Sequence, residues 1–156
     1  MSTPPPVTLR AMTDAEYAGW QDRNAQSFAA GIGPLRGLDG EAAIAFARAE
    51  VDKLLPDGLR TDKHLLWTAF AGDGPLVGSL WISVLTPVPY IYGVEVAEAQ
   101  RGKGYGRSIM VAAEEECRLR GYSQLDLNVF GNNATAINLY ESLGFETVSQ
   151  MMRKQL

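Results

Sequence analysis

The apolar positions change their period several times along the chain, and each change predicts an element. Val7 to Arg10 alternates apolar and polar residues, which predicts a short edge strand. Thr13 stands three residues before Glu16, the spacing of a capping box. A helix is therefore expected from about Asp14 to Ala29, carrying Tyr17, Trp20 and Phe28. Gly31-Ile-Gly-Pro-Leu-Arg-Gly37 is dense in helix breakers and predicts a loop. Asp39 is placed to cap a second helix, about Gly40 to Leu55. There Ile44, Ala47, Val51 and Leu54 recur at helical spacing. Pro56-Asp57-Gly58 ends it.

His64 to Ala71 and Leu76 to Leu85 are rich in Leu, Trp, Phe, Val and Ile, with Gly72-Asp73-Gly74-Pro75 between them. That arrangement predicts a hairpin. Thr86 to Pro89 breaks the pattern, and a third strand is expected from Tyr90 to about Ala97. A helix from Ser108 to Arg120 turns Ile109, Met110, Ala113 and Cys117 inward, and Gly121 stops it. Leu125 to Phe130 alternates again and reads as a strand. Ala134 to Leu143 is helical, and Phe145 to Met152 predicts a last strand. The order is β-α-α-β-β-β-α-β-α-β, with strands in the middle and helices around them. This is an α+β fold with a mixed central sheet. Residues 7–156 read as one domain, behind a disordered lead-in of Met1 to Pro6.

Composition narrows the class. The 156 residues are 46% hydrophobic and 21% charged, which suits a globular chain with a sizeable core. A net charge of −4 argues against nucleic-acid binding, which needs a basic face. Cys117 is the one cysteine, so neither an internal disulfide nor a cysteine metal cluster can form. No apolar run approaches the roughly 20 residues that span a bilayer, and the N-terminus lacks a signal-peptide pattern. A cytoplasmic setting, with no membrane partner and no metal, is expected.

On this acidic chain, Gln100-Arg-Gly-Lys-Gly-Tyr-Gly-Arg107 is a positive island. Gly102, Gly104 and Gly106 alternate with Lys103, Tyr105 and Arg107, after Arg101 and between an expected strand and an expected helix. Glycine lets amides turn inward, and a helix N-terminus adds partial positive charge, so the stretch is a candidate diphosphate site. The bland reading is a solvated basic loop. A Walker loop, G-x-x-x-x-G-K-[ST], does not occur. A dinucleotide G-x-G-x-x-G fails because Arg107 stands at the third glycine.

The R-x-x-G-x-G of Arg101, Gly104 and Gly106 resembles the cofactor loop of the GNAT (Gcn5-related N-acetyltransferase) family. Asn133-Ala-Thr-Ala-Ile-Asn-Leu-Tyr140-Glu-Ser-Leu-Gly-Phe145 resembles the same family's N-x-x-A-x-x-L-Y-x-x-x-G-F segment. The pair, in the family's order, covers about Tyr90 to Phe145. The resemblance implies a GNAT fold and direct transfer of an acetyl group from acetyl-CoA to an amine, on a small molecule or a protein. It implies that Arg101 to Arg107 hold the CoA diphosphate, and that the backbone at Val94 and Val96 meets the thioester and the pantetheine arm. Asn133 is placed on the cofactor side, or serves only as a helix cap. Tyr140 matches the acid that protonates the leaving thiolate, against a plain packing role. The place where relatives carry a glutamate base falls near Tyr90, which is not acidic. Glu95 is the one acid within that strand; it is either the base or half of an ion pair, and a water relay is the alternative. His64 reads as structural. Homodimers are common in the family. A non-catalytic acetyl-CoA sensor and an O-acyltransferase are the competing readings.

Overall fold

Thr13 and Glu16 close the expected capping box. Thr13 Oγ1 accepts from the Glu16 amide at 3.2 Å, and the Thr13 amide donates to Glu16 Oε1 at 2.9 Å. The computed structural model describes residues 3–156. Its elements are β1 (Thr8–Ala11), α1 (Asp14–Arg36), α2 (Gly40–Leu54), β2 (His64–Phe70), β3 (Leu76–Ser83), β4 (Tyr90–Val96), α3 (Tyr105–Leu119), β5 (Asp126–Leu127) and α4 (Ala134–Ser142). The strands form one sheet in the order β1-β2-β3-β4-β5, antiparallel except for the parallel β4–β5 pair.

Three expectations need correction. The loop expected at Gly31–Gly37 is the end of α1, which runs through Pro34 to Arg36. Its glycines serve close packing rather than a turn. A Cβ at Gly31 would run into the Phe130 ring, and one at Gly33 would come within 3.3 Å of Ala43 Cβ on α2. Only at Gly37, with φ of 64°, does glycine take the left-handed conformation that ends the helix. The helix expected from Ser108 begins at Tyr105, so the glycine loop leads directly into its first turn. The strand expected over Phe145–Met152 is absent, and residues 145–156 have no regular secondary structure.

Of the expected lead-in, Met1 and Ser2 lie outside the described residues. Thr3 to Pro6 have no regular structure, yet the Pro5 carbonyl accepts a hydrogen bond from Ser108 Oγ on α3. This end of the segment is thus pinned to the helix that follows the glycine loop.

The sheet carries apolar packing on both faces. Leu80, Ile82 and Ile91 pack with Ile109, Met110, Ala113 and Cys117 of α3. Leu66 and Trp81 pack with Met12, Trp20, Val51 and Leu55, which seats α1 and α2 on the opposite face. Ala29, Ala43 and Ala47 make a small-residue seam where those two helices meet. Among the described residues no helix is long and apolar enough to cross a membrane.

Candidate active site

Two departures from a regular sheet make the site. The first lies in β4, where Trp81 pairs with Gly93 and Ile82 with Ile91, so Tyr92 is an extra residue bulged out of the ladder. The bulge shifts the alternation. Ile91 and Val94, three apart, both pack with the α3 side, together with Val96. The second is the parting of β4 and β5. They pair only at Tyr90–Asp126 and Ile91–Leu127. The strand expected over Leu125–Phe130 is accordingly cut to two residues, because beyond Leu127 the chain leaves its partner. A wedge opens with Val94 and Val96 on one arm.

The glycine loop lies at the open end of that wedge. Gly102 and Gly104 hold φ of 76° and 89°, conformations that favour glycine. Gly104 is the N-cap of α3 and offers no side-chain cap. The amide of Ser108 bonds back to the Gly104 carbonyl. None of the six amides from Gly102 to Arg107 has an acceptor among the described residues. These are the orphan donors of a helix start, extended backward by the glycine turn. Gly106 fits between strand and helix: its Cβ would lie 3.6 Å from both Val96 and Leu139. The cations are tethered beside the loop. Arg101 Nε donates to the Val96 carbonyl at 3.3 Å, Lys103 Nζ to Gln100 Oε1 at 3.2 Å, and Arg107 Nη2 to Ser142 Oγ of α4 at 2.6 Å.

Glu95 faces away from Val94 and Val96, as strand alternation requires. Its carboxylate is gripped by Arg23 of α1, with Nε 2.6 Å from Oε2 and Nη2 3.3 Å from Oε1. Ser79 Oγ donates to Oε1 at 3.0 Å. The structure thus supplies the ion-pair partner that one of the two readings of Glu95 expects.

Tyr140 lies on α4, packed on the same cluster as Val94 and Val96, with its ring edge-on to Phe145 at 5.8 Å between centroids. Burial pushes its phenol above the ordinary value of 10. Among the described residues no buried side-chain oxygen is left without a partner, so the hydroxyl of Tyr140, which has none, is not fully sealed from solvent. Asn133 caps α4, its Oδ1 accepting from the Ala136 amide at 3.2 Å. That leaves its side-chain NH2 as the group free to meet a ligand.

His64 is buried and accepts from Trp81 Nε1 at 3.0 Å through Nδ1. An indole N–H can only donate, so the ring proton sits on Nε2 and desolvation lowers the imidazole's pKa. Cys117 is free and buried, and its thiol pKa is raised, chiefly by desolvation.

Sequence reasoning missed Arg23, Asn24 and Tyr92. Trp20 meets Trp81 edge-on at 5.5 Å, Trp81 stacks on Tyr92 at 4.8 Å, and Tyr90 tilts on Tyr92 at 4.7 Å. This aromatic ladder runs from α1 to the bulge, and Tyr92 ends it with 40% of its surface exposed. Asn24 Oδ1 overlies Gly93, 3.7 Å from where a Cβ would stand. The repeated tyrosines at 90 and 92 were the available signal. Nothing in the sequence marked Arg23 or Asn24.

A mixed sheet that parts beside a helix N-terminus, with free amides at the mouth, defines a fold for binding an extended ligand with an anionic end. The acetyltransferase (GNAT) family matches residues 38–145, and the chain belongs to that family. It is 38% identical over 120 residues to YycN of Bacillus subtilis, named as an uncharacterized N-acetyltransferase, covering 74% of this chain and 77% of that one. A second uncharacterized N-acetyltransferase of B. subtilis, YdgE, is 29% identical over 153 residues, covering 96% of this chain and 98% of that one. The crystal structure of the YycN acetyltransferase superposes with a TM-score of 0.90 at 30% identity, over 96% of this chain and 98% of that one. The fold is the α+β GNAT fold, and the chain is an acetyl-CoA-dependent N-acetyltransferase acting on an amine acceptor.

Proposed function

We propose that the amides of Gly102 to Arg107 take the diphosphate of acetyl-CoA, with Arg101, Lys103 and Arg107 supplying charge. The pantetheine arm then follows the wedge past Val96 to place the thioester at Val94. Asn133, at the head of α4, serves the cofactor side. The six consecutive amides without an acceptor carry this reading: an anion is the ligand that satisfies them.

The acceptor enters on the face of β4 that carries Tyr90 and Tyr92, beneath Asn24 of α1. Its neutral nitrogen attacks the thioester carbonyl and the carbon–sulfur bond breaks. Tyr140 gives its phenolic proton to the leaving thiolate and recovers one from solvent. The attacking nitrogen loses its own proton to water, because the carboxylate of Glu95 is held by Arg23 and the imidazole of His64 by Trp81. Glu95 is thereby a positioning residue that fixes α1 against the acceptor face. A single domain over residues 7–156, acting in the cytoplasm, suits this activity.

Acetyl-CoA binding by calorimetry and thiol release with an amine panel test the reading. The native chain binds acetyl-CoA and releases CoA thiol with an amine. Gly104→Val loses binding, because a β-branched residue is strained at φ of 89° and its Cβ meets Pro5 at 3.3 Å. Binding retained by Gly104→Val overturns the loop assignment. Binding without turnover marks a sensor, and turnover with alcohols alone marks an O-acyltransferase.

A further inference from the structure

The segment ahead of β1 closes on the glycine loop from about a hundred positions away in the chain. Pro4 and Pro5 are half-buried, while Thr3 and Pro6 are exposed. Ser108, buried in the first turn of α3, donates through Oγ to the Pro5 carbonyl. The Gly104 carbonyl also lies 3.2 Å from that oxygen, but it already accepts from the Ser108 amide. The Pro5 ring touches the loop as well, with its Cδ 3.3 Å from where a Cβ of Gly104 would stand. Pro5 therefore grips both ends of the first turn of α3: Gly104, its N-cap, and Ser108, whose amide closes the turn.

The strap is stiff and anchored. Pro4, Pro5 and Pro6 each fix their own φ, and a following proline biases Pro4 and Pro5 toward extended backbone. Immediately beyond them Val7 packs on the α3 side of the sheet, and Thr8 pairs with Phe70 at the start of β1. The loop that the strap meets has the opposite character. Gly102, Gly104 and Gly106 have the widest choice of backbone conformation, and glycine loses the most freedom on ordering. Gly104 gives α3 no side-chain cap. A ligand that had to order such a loop would bind more weakly for doing so.

We propose that Pro5 and Ser108 are positioning residues for the diphosphate loop. The proline strap holds Gly104 and the first turn of α3 in the form that presents their amides, so the cofactor meets a loop that is already ordered. This rests on the assignment of residues 102–107 to the CoA diphosphate. Neither residue touches the cofactor in this role. The strap bears on the Gly104 backbone and on the Ser108 side chain, and the amides of Gly102 to Arg107 stay without acceptors. The effect is confined to the donor side, since the strap makes no contact with Tyr90, Tyr92 or Asn24 on the acceptor face.

Calorimetry with acetyl-CoA, steady-state kinetics and amide hydrogen exchange on the full chain test the inference. Ser108→Ala removes the hydroxyl and keeps a good helix former. Pro4→Gly/Pro5→Gly loosens the strap outside any regular element. Each variant should raise the acetyl-CoA Kd about 10-fold, with acceptor KM and kcat at saturating acetyl-CoA within about 2-fold of native. The combined variant should be no weaker than either alone, because both cut the same strap. The amide at position 108 should exchange at least about 5-fold faster in the free variants, and at the native rate once acetyl-CoA is bound. Native affinity in both variants, while Gly104→Val still loses binding, overturns the inference and leaves the loop assignment standing. Binding retained by Gly104→Val overturns the loop assignment and the inference with it. Tighter binding in the variants overturns the inference too, since the strap would then obstruct the site. So does a loss that adds up in the combined variant, or one that falls equally on acceptor KM, as a general loss of packing would.

Discussion

Arg23 on α1 holds Glu95 on β4 through two nitrogens, at 2.6 and 3.3 Å. The pair joins α1 to the strand that carries the bulge, with 52% of the arginine side chain and 25% of the glutamate side chain exposed. If its task is to position α1, Arg23→Ala and Glu95→Gln lower acceptor kcat/KM by a similar amount, about 10-fold, and the double variant is no worse than either. Steady-state kinetics at fixed acetyl-CoA decide this. A loss of about 100-fold or more confined to Glu95→Gln would restore that carboxylate as the base.

Tyr140→Phe removes the hydroxyl and keeps the ring that packs on Phe145. We expect kcat to fall about 100-fold, the lower range of acid–base contributions, with acetyl-CoA affinity unchanged within about 2-fold. Because burial raises the phenol pKa above 10, Tyr140 keeps its proton as pH rises through that value. The alkaline limb of kcat in the native enzyme should therefore not report tyrosine ionisation below about pH 10. A turnover number unaffected by the substitution removes Tyr140 as the acid.

Gly31→Ala should destabilise by about 1–3 kcal/mol, since its Cβ runs into the Phe130 ring. In a Phe130→Ala background the same substitution should be neutral or stabilising by up to about 1 kcal/mol, because alanine is the better helix former. Chemical denaturation of the four proteins closes the cycle. Destabilisation of equal size in both backgrounds would mean that the glycine serves the backbone rather than the contact.

Glu16 titrates below its ordinary 4.5, first because the Thr13 amide donates to its carboxylate. A depressed carboxylate stabilises the fold fully above the unfolded value and loses that contribution as pH falls through the folded one. The start of α1 should fray on acidification below about pH 4.5, and thermal melts should show a smaller acid loss in Glu16→Gln. Identical acid profiles would dismiss the capping box as the source.

The glycine loop proposed for the cofactor was legible in the sequence because it depends on local chemistry. Gly102 and Gly104 signal positive φ, and the loop precedes a helix whose first amides need an acceptor. Thr13 and Glu16 signal a helix start in the same local way. Short-range steric and hydrogen-bond rules write such features into a few adjacent residues.

The rest was decided only in three dimensions. Gly31 and Gly33 read as breakers, yet the Phe130 ring and Ala43 made them contact points within a helix. Glu95 read as either a base or half of an ion pair, and the ion-pair partner, Arg23, stands 72 positions earlier. Tyr92 became the end of an aromatic ladder only because a bulge turned it toward Trp81. Phe145 to Met152 has the pattern of a strand, but pattern supplies only one edge of a hydrogen-bond ladder. The sequence by itself determined the family and the glycine turn before α3, while tertiary packing decided which side chains meet Glu95 and Tyr92 and left residues 145–152 outside the sheet. Side-chain alternation and turn chemistry act over a few residues, whereas a partner across the sheet or on another helix comes from anywhere in the chain.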